Sequence, residues 1–210
     1  MDDVPEAHGA PETIRAFLAL ELDSASLRRV ARVADRLRMA SGAPSATWVP
    51  PARMHITLKF MEALPTAIVE PLSDAIRLLM EGRSAPEAIA FRLDAFPKIE
   101  QAHVIVLELL DASGKLSDLA QQVDRAAQDY GLVHEQRAFR PHVTVARLKR
   151  RHDARRWLRS ELAEMAGECS VIALTLFQSK LDQSGPTHTP LARFAFANIV
   201  PHPHAPDEGA

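Results

Sequence analysis

Two rhythms of apolar residues alternate along the chain. Residues 14–22, IRAFLALEL, form a mostly apolar run of strand length. Asp23 and Ser24 then offer N-caps to a helix. Leu27, Val30, Val33 and Leu37 mark its apolar stripe, Arg28, Arg29, Arg32 and Arg36 its wet side, and Ser41 to Pro44 breaks it. MHITLKF, 54–60, alternates strictly, which predicts a strand. A second helix is expected over 68–80, with Leu72, Ile76 and Leu79 inward and Gly82 at its end. AIAFRLDAF, 88–96, reads as another strand.

The second half repeats this order. HVIVLELL, 103–110, is a strand, and a helix follows over 115–130 with Leu116, Leu119, Val123 and Ala127 on one side and Gly131 as C-cap. PHVTVARL, 141–148, is a short strand. Asp153 caps an expected helix carrying Trp157, Leu158, Leu162 and Met165. SVIALTLFQ, 170–178, and LARFAFANI, 191–199, are strands joined through a loop with Gly185 and Pro186, in hairpin fashion. Each half thus reads strand, helix, strand, helix, strand. The middle strand of each carries His-x-Thr and an aliphatic residue: His55-Ile56-Thr57-Leu58 and His142-Val143-Thr144-Val145. Matching element order around a repeated motif indicates an internal duplication.

Side chains alternate faces along a strand. Met54, Ile56, Leu58 and Phe60 fall on one face, and His55, Thr57 and Lys59 on the other. Val143 and Val145 likewise oppose His142, Thr144 and Ala146. The apolar faces must pack under the helices, which leaves the histidines and threonines on the open face. If a pseudo-twofold axis relates the halves, two imidazoles and two hydroxyls converge in one groove. Imidazole titrates near neutrality, so one ring can act as base while the other acts as acid. The hydroxyls can donate to phosphoryl oxygens as charge builds there. In-line displacement at phosphorus needs this layout. The other seven histidines (His8, His103, His134, His152, His188, His202 and His204) lack such a setting and read as surface or loop residues.

Composition narrows the partners. The 210 residues are 47% hydrophobic and 25% charged, ordinary globular usage, with a formal net charge of −2. Any polyanion must therefore be held by a local patch. Arg147, Lys149, Arg150, Arg151, Arg155, Arg156 and Arg159 crowd the exit of the second motif, while Arg53, Lys59 and Arg140 flank the two motifs. Such charge suits a phosphate backbone, although Arg155, Arg156 and Arg159 also read as one solvated helix face. With two tryptophans and one tyrosine, a broad stacking platform for single-stranded RNA is not expected. The single cysteine, Cys169, permits neither an intramolecular disulfide nor a four-cysteine zinc site. No run spans a bilayer, and the opening MDDVPEAHGAPE has no secretion-signal layout, so a cytoplasmic protein without membrane association is expected. Residues 1–13 are expected to be a flexible N-terminus, 14–199 a single two-lobed domain, and 200–210 a disordered tail.

From about Ile14 to Ile199 the chain resembles the 2H phosphoesterase superfamily, in particular the RNA 2′,3′-cyclic phosphodiesterases long called 2′-5′ RNA ligases. RAFLALEL is similar to the family's opening strand, TWVPPARMHITLKF to its first histidine motif, FRPHVTVAR to its second, and LTLFQSKLDQSG to its late strand and loop. The resemblance implies a bilobal α+β fold with two antiparallel sheets flanking a groove and helices outside. It implies hydrolysis of RNA 2′,3′-cyclic phosphate ends, tRNA fragments among them, to 2′-phosphomonoesters, without metal or other cofactor. His55 would be the proton donor and His142 the proton acceptor, although pseudo-symmetry leaves the reverse open. Thr57 and Thr144 would bind phosphate. Phe60 and Arg147, each five positions after a histidine, would contact the nucleotide; strand parity instead puts both on the core side. The chain departs from the family's pattern at Glu62, Phe177 and His188, where glycine, tyrosine and tyrosine are common, and this bears on substrate preference.

Other readings stand beside this one: a related phosphodiesterase acting on a small cyclic nucleotide, ADP-ribose 1″,2″-cyclic phosphate or a 2′-5′ oligonucleotide; a non-catalytic RNA-end binder; and a metal hydrolase, for which two histidines without an adjacent carboxylate make a poor ligand set. Asp94, Glu108 and Asp111 have no spacing that places them at the site. Reverse 2′-5′ ligation is expected to be subordinate to hydrolysis. A monomer with no obligatory protein partner is expected.

Overall fold

The computed structural model describes residues 11–86, 89–158, 167–182 and 185–199. Strand β1 (Thr13–Leu22) leads to helix α1 (Ser24–Met39), where the Asp23 carboxylate accepts from Ser26 N at 2.6 Å. This is the N-cap bond that Asp supplies to an otherwise unsatisfied first-turn amide. A short β2 (Ala46–Trp48) precedes β3 (His55–Pro65), followed by α2 (Val69–Met80) and β4 (Ile89–Phe96). The second half comprises β5 (Ala102–Leu110), α3 (Lys115–Gln128), β6 (His142–His152), β7 (Glu168–Cys169), β8 (Val171–Asp182) and β9 (Gly185–Ala195).

All the strands form one sheet in the order β7-β4-β5-β6-β3-β1-β8-β9, with β2 added to β6. Every pairing is antiparallel. The α+β class is as expected, but the two expected sheets are continuous. β3 and β6 join through one pair, Ile56 with Val143, and diverge on either side. One lobe is β3-β1-β8-β9 and the other β6-β5-β4-β7. The apolar residues of α1, α2 and α3 (Val30, Leu37, Ile76 and Leu119 among them) and one face of the strands form a common core.

Several expected bounds shift. β3 and β6 run on to Pro65 and His152, beyond the apolar alternation, because ladder bonds to β1 and β5 carry them. The strand expected over 191–199 is β9 and begins at Gly185, where Asp182 pairs with Gly185. The helix expected from Asp153 begins as turns, with Leu158 N bonded to Ala154 O at 2.8 Å; Arg159, Leu162 and Met165 lie outside the described residues. Trp157 anchors those turns through an indole hydrogen bond of 2.9 Å to Leu37 O. The expected flexible N-terminus and disordered tail fall largely outside the described residues, which begin at 11 and end at 199.

Candidate active site

The one residue pair that joins β3 to β6 is also where the two motifs meet. Ile56 and Val143 pair there and are both fully buried. Their antiparallel register sets His55 beside Thr144 and Thr57 beside His142, on the face opposite the core. By register the two histidines are the diagonal pair, each opposite a threonine of the other strand.

The lobes repeat each other residue by residue around this point. Glu21 lies across the strand pair from His55, and Glu108 from His142. Both strands carry a bulge at the residue after the threonine. Lys59 pairs with Leu18 and Thr57 with Ala19, which skips Leu58; Ala146 pairs with Ile105 and Thr144 with Val106, which skips Val145. An extra residue in one strand reverses the facing of everything beyond it. The strict parity of the sequence is therefore broken at the same place twice. Lys59 and Ala146, expected on the open face, are buried, 4% and 0% exposed. Phe60 and Arg147, assigned by parity to the core side, are on the open face, and both line the central cleft.

That cleft has a volume of 1310 Å³ and takes in Thr57, Thr144, His142, Phe60, Phe96 and Arg147. His55 does not line it. Its ring stacks on Phe17 at 4.9 Å and meets Phe177 at 6.3 Å and His188 at 5.8 Å between centroids. His142 is held differently. Its Nδ1 lies 2.7 Å from Arg140 O, an atom that can only accept, so Nδ1 carries the proton and Nε2 holds the lone pair. The Phe96 ring packs edge-on against the imidazole at 4.9 Å, and the Arg140 guanidinium covers Phe96 at 4.6 Å. That guanidinium is fixed by Glu108 at 3.0 Å and Asp94 at 2.7 Å.

Both imidazoles are pushed towards the neutral form. Burial, then the neighbouring His188, lowers His55 to about 4 against an opposing backbone hydrogen bond at Arg53; His142 and Arg147 lower it further. His142 is lowered chiefly by burial, with the bond to Arg140 O acting the other way; the Arg140 and Arg147 charges lower it and Glu108 raises it. Each histidine thus uses the backbone of the arginine two positions before it. His188 is lowered by burial and by Arg53 and Arg15, against a backbone hydrogen bond at Thr187.

Three parts of this neighbourhood escape the sequence reading. His188, read as a surface or loop residue, packs on Phe17 at 4.9 Å beside His55. His103 and His134, read the same way, line the cleft. Glu21 and Glu108 brace the strands opposite the histidines: Glu21 accepts from Arg193 Nε at 3.1 Å and from the Thr175 hydroxyl, and Glu108 from Arg92 Nε at 2.8 Å. The duplicated spacing from β1 to β3 and from β5 to β6 was the signal that could have located the two glutamates. His8, His202 and His204 lie outside the described residues. Among the described residues no three His, Cys, Asp or Glu side chains cluster to hold a metal ion.

Known proteins share this fold. The chain is 28% identical over 189 residues to the RNA 2′,3′-cyclic phosphodiesterase of Methanothermobacter thermautotrophicus, covering 86% of this chain and 98% of that one. Its fold matches the crystal structure of TT0787 of Thermus thermophilus with a TM-score of 0.69 at 20% identity, over 87% of this chain and 98% of that one. It also matches E. coli LigT complexed with 3′-AMP, with a TM-score of 0.64 at 17% identity over 89% and 99% of the two chains. The model of the 2′-5′ RNA ligase superfamily matches residues 25–183, and the chain belongs to that superfamily.

Proposed function

We propose that the protein hydrolyses RNA 2′,3′-cyclic phosphate ends to 2′-phosphomonoesters, with His55 and His142 as its acid and base. The observation that carries this reading is the one-pair junction, which sets two His-x-Thr motifs head to tail on an open face. The relatives named RNA 2′,3′-cyclic phosphodiesterase support the substrate class.

The cyclic phosphate sits between the two threonine hydroxyls, which donate to its non-bridging oxygens. His142, which lines the cleft and presents a free Nε2 lone pair, takes a proton from water as the water oxygen bonds to phosphorus. Glu108 stabilises the imidazolium that forms. The P–O3′ bond breaks on the opposite side, and His55 gives its proton to O3′. A group lowered to about 4 is a strong acid once the phosphate anion has drawn a proton onto it. The products are a 2′-phosphate and a 3′-hydroxyl. In the reverse ligation a 5′-hydroxyl takes the place of water at phosphorus, O3′ again leaves, and a 2′-5′ bond forms. That reverse reaction is subordinate where water is abundant.

Both proton transfers are assigned to imidazoles, so turnover is expected to persist in EDTA. Incubating a short RNA ending in a 2′,3′-cyclic phosphate with the protein and EDTA, and resolving the products, tests the reading. A 2′-phosphate end is expected. A 3′-phosphate, or no reaction until a divalent metal is restored, would overturn it. Turnover of small cyclic nucleotides but not RNA would move the activity to another member of the same reaction class.

A further inference from the structure

The cleft is large for one nucleotide and it is one-sided. Its 1310 Å³ exceeds the roughly 300–1,000 Å³ of an ordinary small-ligand pocket. It extends from the histidine–threonine cluster past Leu58 and Phe60 of β3 and, for most of its lining, over residues of the second half of the chain. The far walls are Gln121 of α3, His103 of β5, and the segment 134–140 that leads into β6. The His55 flank is filled by Phe17, Phe177 and His188. An RNA whose end reaches the histidines therefore has one broad way out.

Charge follows the same path. Arg137, Arg147 and Arg151 line the cleft, are exposed, and have no carboxylate partner among the described residues. Arg77, Arg92, Arg140, Arg155 and Arg193 are ion-paired. Local geometry explains how Arg147 and Arg151 come to share the wall. β6 goes from Arg147 to His152 while β5 goes only from Val104 to Ala102, so the surplus residues bulge outward. Of the two carboxylates on the wall, Asp124 is already tied to Lys59 and His134. The Glu135 carboxylate accepts from Arg137 N at 3.1 Å, a backbone bond that leaves the guanidinium free for a ligand.

We propose that the second-lobe half of the cleft is a binding site for the RNA upstream of the cyclic phosphate, with Arg137 and Arg151 on the phosphodiesters 5′ to the terminal nucleotide. The proposal rests on the hydrolase reading above and adds a direction and a length preference to it. The protein should favour an oligonucleotide end over a mononucleotide with the same cyclic phosphate.

The test compares kcat/KM for a nucleoside 2′,3′-cyclic phosphate and for a four-nucleotide RNA with the same end. Wild type, Arg137→Gln/Arg151→Gln, the matching Lys pair, and Arg28→Gln/Arg32→Gln on the outer side of α1 are assayed in parallel. Wild type should prefer the oligonucleotide by about tenfold or more, the scale of one or two charge-assisted hydrogen bonds. The cleft Gln pair should lose that preference through KM while leaving the mononucleotide rate unchanged. Its log–log salt slope on the oligonucleotide should fall by about 0.7 for each phosphate no longer neutralised. The Lys pair should retain the preference, and the α1 pair, with the same loss of charge, should behave as wild type. Equal rates on both substrates in wild type, or equal losses in the cleft and α1 pairs, would overturn the proposal and leave the hydrolase reading intact. No turnover of either substrate by wild type would overturn both.

Discussion

At the scale of the residue, the proposed chemistry turns on two imidazoles kept neutral by their surroundings. Burial lowers both, so both are uncharged at pH 7 in the free protein. For kcat/KM the free-enzyme values matter, and a coupled acid–base pair gives a bell between its two macroscopic values. The acid limb should lie near pH 4, and the alkaline limb below the ordinary histidine value of about 6.5. Activity measured as kcat/KM should therefore peak on the acid side of neutrality and fall from pH 7 to 8. The kcat profile should sit at higher pH, since a bound phosphate anion favours both imidazolium forms. Glu108→Gln removes a charge that raises His142 and loosens the brace on Arg140, so the alkaline limb should move down and kcat should fall by about tenfold. An unchanged limb would mean that Glu108 acts only structurally. His188 shows why single-residue reading misses such effects. Its role is set by contacts with Phe17 and His55, which are distant in sequence, and no local pattern marks it.

At the scale of the element, the two bulges decide which side chains face substrate. Strand alternation correctly placed His55, Thr57, His142 and Thr144 opposite Ile56 and Val143. It failed from the next residue on, because a bulge is a property of the pairing with β1 or β5 and is not visible in the periodicity of β3 or β6. Phe60 separates the two readings in solution. As a cleft residue, 44% exposed with the Arg15 guanidinium 4.8 Å from its ring, it can be replaced by alanine at a cost of about 0.5 kcal/mol of stability. A core phenylalanine would cost about 3–5 kcal/mol. If it stacks on a base, Phe60→Ala should also weaken substrate binding by about 1–3 kcal/mol, read as KM. Urea denaturation and steady-state kinetics on the same preparation check both. The helices were legible from their stripes and caps. β2 was not, since three residues carry no period and its pairing with β6 is long-range.

At the scale of the molecule, β3 and β6 share one residue pair, and further contacts join the two halves of the chain, among them Trp157 to Leu37 O and Arg83 to Gln122. Lys59 of β3 adds another, forming a buried ion pair with Asp124 of α3 and a hydrogen bond to Val133 O. Asp124 also binds His134, and its amide-side bond from Glu135 N is 3.2 Å. Burial acts to raise the Asp124 carboxyl, but the Lys59 and His134 bonds hold it below its usual value. One lysine thus ties β3 to α3 and to the segment that leads into the wall of the cleft. Lys59→Met removes the buried cation but leaves Asp124 its bonds from His134, Gln128 and Glu135 N, and should cost about 1.5–3 kcal/mol of unfolding free energy in urea. A loss under about 1 kcal/mol, the scale of an exposed ion pair, would show the tie to be dispensable. The duplication itself was legible from the two motifs and their element order. The continuity of the sheet was not, because it depends on a single long-range pair.

The central claim is that His55 and His142 act as one unit on the cyclic phosphate. The most direct test is single-turnover hydrolysis by His55→Ala, His142→Ala and the double variant, each shown to be folded. General acid and base contributions are each worth about 10²–10⁴-fold, and groups that act in concert are not additive. Each single variant should fall by about 10²-fold or more, and the double variant should fall no further. A near-wild-type rate in either single variant, or a double variant slower by the product of the two losses, would contradict the account.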